Sequence, residues 1–91
     1  IDENILSDQF REKVKSKGVM LLGIIKNKKP MIVCSITDDL IEKYSANDIV
    51  KIAAKYIDGG GGGKRHFAKA GGKNKDYLEK AILETKNKVF G

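Results

Sequence analysis

At 91 residues, 41% hydrophobic and 33% charged, the chain holds one small globular domain, near the lower size limit for a single core. No apolar run approaches the roughly 20 residues that a membrane-spanning helix needs. The net charge of +6 is a clear positive field for so short a chain, favouring nucleic acid, anionic lipid or an acidic protein surface. A single cysteine excludes an internal disulfide and fits a reducing, cytoplasmic compartment. The chain opens on Ile1 rather than Met, and the expectation is a fragment of a longer polypeptide.

Residues 1–17 read as an N-terminal helix continuing an upstream linker helix, and residues 18–91 as the globular domain. Leu6, Phe10 and Val14 recur at i, i+4 spacing, with Ser7 as N-cap and Gly18 as stop signal. Val19 to Ile25 is a continuous apolar run that reads as a central strand covered on both faces, with Gly23 marking a bulge or a close approach. Asn27 to Pro30 forms a turn, and Met31 to Ile36 returns as the second strand of an antiparallel hairpin. Cys34, in that strand, reads as a small buried hydrophobe.

Thr37-Asp38-Asp39 then caps a short helical segment through Leu40, Ile41 and Tyr44. Ser45 to Asp48 resembles a capping box, and behind it Ile49, Ile52, Ala53 and Tyr56 form the buried stripe of a helix ending at Asp58. Asp38, Asp39 and Asp48 are explained as caps, so no metal site is expected from them. Asn74 caps a last helix to about Val89, with Leu78, Ala81, Ile82, Thr85 and Val89 inward. The fold class is α+β: a small mixed sheet, made of the hairpin plus a short strand after the glycine run, packed by three to four helices.

Between the last two helices lies the stretch that sets the chain apart. Gly59, Gly60, Gly61, Gly62 and Gly63 are followed by Lys64, Arg65, His66, Phe67, Ala68, Lys69, Ala70, Gly71, Gly72 and Lys73. The stretch holds seven of the ten glycines. A flexible linker is the plain alternative, yet Arg65 to Ala70 alternates polar with apolar as a short strand does. It reads as a glycine-walled basic loop whose bare amides, with the flanking cations, face phosphate. Tyr56 and Phe67 could stack on bases, but their spacing favours core packing.

Catalytic chemistry finds little to hold. His66 is the only histidine and lacks a second metal ligand at usable spacing. Arg65 stands where a nucleotide-binding P-loop would need a hydroxyl, and these glycines follow a helix rather than a strand. His66 reads as a hydrogen-bond donor to an anion.

Asp58 to Lys73 resembles the signature of the DHH-associated domain, in the form found at the C-terminus of alanyl-tRNA synthetases. That form has a long glycine run, a basic residue, a few variable positions, an apolar residue and then Ala-x-Ala-Gly-Gly-Lys, here Gly59–Gly63, Lys64, Phe67 and Ala68 to Lys73. The lysine-rich hairpin turn, the Thr-Asp-Asp-Leu segment and the helix before the glycines sit where that family has them. The resemblance implies a non-catalytic domain that docks the outer corner of alanine-accepting tRNA. Its further partners would be upstream domains of the same chain and a second copy joined through the N-terminal helix. ATP, magnesium and zinc would belong to the rest of the parent ligase, with no cofactor in this part. The backbone-phosphate contacts carried over are Gly59–Gly63, Lys64, Arg65, Lys69, Gly71, Gly72 and Lys73, with His66 as a weaker addition. The same domain type accompanies DHH phosphoesterases, so an accessory substrate-binding domain is one alternative, and a dimerisation module is another.

Overall fold

The computed structural model describes residues 3–91; Ile1 and Asp2, the expected start of the first helix, lie outside the described residues. Three helices and four strands follow in the order α1 (Glu3–Lys13), β1 (Val19–Lys26), β2 (Lys29–Ile36), α2 (Ala46–Ala54), β3 (Gly60–Gly63), β4 (Phe67–Gly71) and α3 (Leu78–Phe90). Short 3₁₀ turns at Asp38–Leu40, Lys55–Ile57 and Lys75–Tyr77 connect them. Ser7 therefore lies inside α1 and is not its N-cap.

The strands form one sheet of order β1-β2-β4-β3, with every pairing antiparallel, so the α+β class holds and the sheet is not mixed. β1 is an edge strand and not a central one, which corrects the reading of its apolar run. Val19 and Leu21 pack on the core, and a Cβ at Gly23 would stand 3.1 Å from Leu78 of α3. An unbroken apolar run reports cover above and below a strand; it carries no information about a second lateral neighbour. The β1–β2 turn is a two-residue turn with Asn27 (φ 53°) and Lys28 (φ 65°) both left-handed, the conformation that matches the twist of the strands it joins.

One face of the sheet carries the core. Ile32, Cys34 and Ile36 of β2 and Ala68 and Ala70 of β4 pack with Ile49, Val50 and Ala53 of α2 and Leu78 and Ala81 of α3. The Cys34 thiol is wholly enclosed, and burial pushes its pKa up to about 12. Ser45 caps α2 as expected, its Oγ accepting from the Asp48 N–H at 3.4 Å. Two other caps are corrected. Asn74 makes no side-chain cap bond, because a 3₁₀ turn intervenes before α3. Thr37 does not cap a helix reaching Tyr44; its hydroxyl donates to Asp39 Oδ1 at 2.6 Å and accepts from the Gly18 N–H at 3.1 Å. Asp39 also accepts from the Lys17 N–H at 2.9 Å, so this cluster ties the entrance of β1 to the exit of β2.

Candidate nucleic-acid interface

The glycine run is not a loop. Gly60–Gly63 is a strand, paired residue for residue with β4 from Gly60 opposite Gly71 to Gly63 opposite Ala68. Glycine has little strand propensity of its own, so the reason for this composition lies in packing. A Cβ at Gly61 would fall 2.3 Å from the Lys69 carbonyl oxygen and 2.5 Å from Ala70 Cα. At Gly72 it would fall 2.3 Å from the Ile57 carbonyl oxygen. At Gly59, Gly61, Gly63 and Gly72 neighbouring backbone occupies the space of a side chain, whereas a Cβ at Gly60 would meet nothing within 4 Å.

The amides are committed as well. Gly59 N–H donates to Ala54 O, Gly72 N–H to Pro30 O, Lys73 N–H to Ile57 O and Lys64 N–H to Phe67 O, all within 3.1 Å. Gly63 N–H, on the outer edge of β3, donates to Asn47 Oδ1 of α2 at 3.0 Å. The expectation of an amide-lined phosphate cradle is therefore corrected: most of these donors serve the fold.

The hairpin also separates the residues that the sequence lists side by side. β4 has five residues, so its ends stand about 13 Å apart. At one end, the turn Lys64–His66 is bolted down. Arg65 Nε donates to Ile41 O at 2.7 Å and its Nη2 to Glu42 O at 3.4 Å. The Arg65 carbonyl accepts from the first amide of α2, Ala46, and the His66 carbonyl from Ile36, both at 2.8 Å. The Arg65 charge is thus turned aside to the carbonyls that follow the Asp38–Leu40 turn, while Lys64 stays exposed and His66 is half-buried. Lys69 is half-buried in mid-strand, between Val33 and Gly62.

At the other end the surface is open. A concavity of about 590 Å³ is lined by Lys26, Lys29, Pro30, Asp58, Gly59, Gly71, Gly72 and Lys73, among others. Three exposed lysines converge there, two from the β1–β2 turn and one from the exit of β4, over backbone that carries no side chains. Asp58, left-handed at φ 53°, adds one opposing charge. Sequence reasoning missed Lys26 and Lys29, having read the Asn27–Pro30 stretch only as a turn. Its lysine richness was the available signal, but only the strand order brings that turn beside Lys73. Tyr56 and Phe67 are half-buried; Tyr56 packs against the core, with Lys88 Nζ 5.2 Å from its ring centroid.

Comparison with known proteins agrees with this architecture. The DHHA1 domain family matches residues 3–90. An alanine–tRNA ligase of Dehalococcoides mccartyi is 42% identical over 81 residues, covering 88% of this chain and 9% of that protein. One from Natranaerobius thermophilus is 44% identical over 85 residues, covering 92% and 10%. The chain therefore spans about a tenth of the length of these curated relatives. Among solved structures, the C-Ala domain of Aquifex aeolicus alanyl-tRNA synthetase superposes with a TM-score of 0.86 at 26% identity, covering all of this chain and 84% of that one.

Proposed function

The chain belongs to the DHHA1 domain family and has the fold of an alanyl-tRNA synthetase C-Ala domain, and from that premise we propose that it docks tRNA for an alanine–tRNA ligase. The observation that carries the reading is the convergence of Lys26, Lys29 and Lys73 on one open concavity. Glycine backbone at Gly59, Gly71 and Gly72 lets a polyanion come close, and the lysine side chains supply the charge. The outer corner of folded tRNA presents phosphates and shape more than readable base edges, which suits a small basic surface of this kind. In this reading aminoacylation and editing, with ATP, magnesium and zinc, belong to the rest of the ligase.

The test is the affinity of the isolated chain for alanine-accepting tRNA as a function of salt. Three lysines on phosphates contribute roughly two to three units to the slope of log K against log salt, and each lysine changed to Ala removes somewhat under one unit. A flat salt dependence refutes the proposal. So does a folded Lys26→Ala/Lys29→Ala/Lys73→Ala variant that binds as the parent does.

A further inference from the structure

The hollow at the open end holds one group that phosphate binding does not explain. Asp58 lines it together with Lys26, Lys29 and Lys73. Its backbone is left-handed, φ 53° and ψ 48°, at the end of the Lys55–Ile57 turn that continues α2. Glycine is the usual residue at such a helix end, and a carboxylate there faces the negative pole of the helix. Asp39, by contrast, is held by the Thr37 hydroxyl and the Lys17 N–H. Among the described residues no side-chain hydrogen bond or ion pair ties Asp58 to the fold. In the free protein the neighbouring lysines offset its charge. Once phosphates take the lysines, the carboxylate faces a polyanion and needs a donor of its own.

Room for that donor is built in. Gly60 and Gly71 stand opposite each other at this end of the hairpin. A Cβ would meet nothing within 4 Å at Gly60 and only the Pro30 carbonyl oxygen, at 3.9 Å, at Gly71, and neither residue has a left-handed φ. Neither packing nor backbone conformation calls for glycine at this pair; its bareness leaves the main chain open to close approach. Reach then sorts the groups of a ligand. Each lysine carries its charge on a four-carbon stem, whereas the Asp58 carboxylate stands close to the main chain. A ligand that touches both sets its phosphates outward and a hydrogen-bond donor down against the backbone. In RNA the donor beside each phosphate is the ribose 2′-hydroxyl, which DNA lacks.

We propose that Asp58 accepts a hydrogen bond from a ribose 2′-hydroxyl at the outer corner of tRNA, and so makes the hollow selective for RNA among polyanions. The inference rests on the docking role proposed above. The carboxylate repels the phosphates of any polyanion, and only a ligand that brings a donor offsets that repulsion.

The test titrates this chain with alanine-accepting tRNA and with the same tRNA carrying 2′-fluoro sugars at its outer corner. Fluorine keeps the RNA sugar pucker but cannot donate. The parent is expected to bind the hydroxyl form about tenfold more tightly, as suits a hydrogen bond to a charged acceptor. Asp58→Gly, which fits the left-handed backbone, is expected to bring that ratio within about twofold while binding the fluoro form more tightly than the parent does. Asp58→Asn keeps an acceptor oxygen without the charge and is expected to retain a ratio of about threefold. A parent that binds both forms alike overturns the inference. So does a ratio that survives in Asp58→Gly, because a carboxylate acting by charge alone shifts both affinities together. If tRNA binding stays salt-dependent and is lost in the triple lysine variant, either result leaves the docking role standing. A parent with no salt-dependent tRNA binding overturns both.

Discussion

The two ends of the β3–β4 hairpin are made from one stretch of sequence, yet they do opposite work. At the Lys64–His66 turn, backbone and guanidinium alike are spent on the fold: Arg65 reaches two carbonyls, and two turn carbonyls receive amides from α2 and β2. At the Gly59 and Gly71–Lys73 end the amides are equally committed, but lysine side chains from two distant segments remain exposed around an open hollow. Glycine content and positive charge are shared by both ends. What separates them is where the cations stand: the Arg65 guanidinium is drawn onto two backbone carbonyls, whereas the lysines at the other end line a surface hollow. A basic residue beside a glycine run is thus weak evidence of binding until its own partners are known.

The sharpest way to break the comparison is at the glycines. Gly72→Ala places a Cβ 2.3 Å from the Ile57 carbonyl and is expected to destabilise the domain by about 3 kcal/mol. Gly60→Ala meets nothing within 4 Å and should stay within about 0.5 kcal/mol of the parent. Urea denaturation of the pair checks this, and equal losses would mean that the run is glycine for some reason other than packing.

Next come the cations. Changing Lys26, Lys29 and Lys73 together to Ala is expected to weaken tRNA binding about tenfold to a hundredfold at low salt, whereas Lys64→Ala should change it by about twofold or less. Titrations of labelled tRNA distinguish the two, and a larger loss from Lys64 would reverse the assignment of the ends. Arg65→Ala should act on stability instead, costing about 1 kcal/mol through the carbonyls it leaves unpaired, with tRNA affinity near that of the parent. Its effect is read by thermal melts beside the same titration.

The smallest effect concerns the cluster at the closed end. The Thr37 hydroxyl, then the Lys17 N–H, hold the Asp39 carboxyl below the usual carboxylate range. Because its folded pKa is depressed, this contribution is present above the unfolded-state pKa and is lost as pH falls through the folded one. Thr37→Val should move the Asp39 titration, followed by NMR, back toward the ordinary value. The stability gap between Thr37→Val and the parent should then narrow in acid.

Much of the fold is legible in the residues. The hairpin, the Ser45 cap, and the inward faces of α2 and α3 follow from spacing and capping chemistry, and Leu78, Ala81 and Thr85 are buried as expected. The glycine strand is not legible, because its residue type encodes the nearness of other backbone rather than a strand preference. The edge position of β1 is hidden because lateral neighbours leave no mark on hydropathy. At the site, Lys73 and the glycines stand out in the chain, while Lys26 and Lys29 join them only through strand order. The committed amides could not be foreseen, since their acceptors Ala54, Ile57 and Pro30 belong to other segments.

Cys34 sits at the centre of β2 with none of its surface exposed and a pKa pushed up to about 12, so a thiol reagent in neutral solution reaches it only when the sheet comes apart. Labelling kinetics at this one sulfur therefore report the opening of the whole sheet without any added probe. Each substitution named above can be ranked by how quickly that sulfur becomes available. The same readout also distinguishes a surface altered in place from a scaffold that has begun to give way.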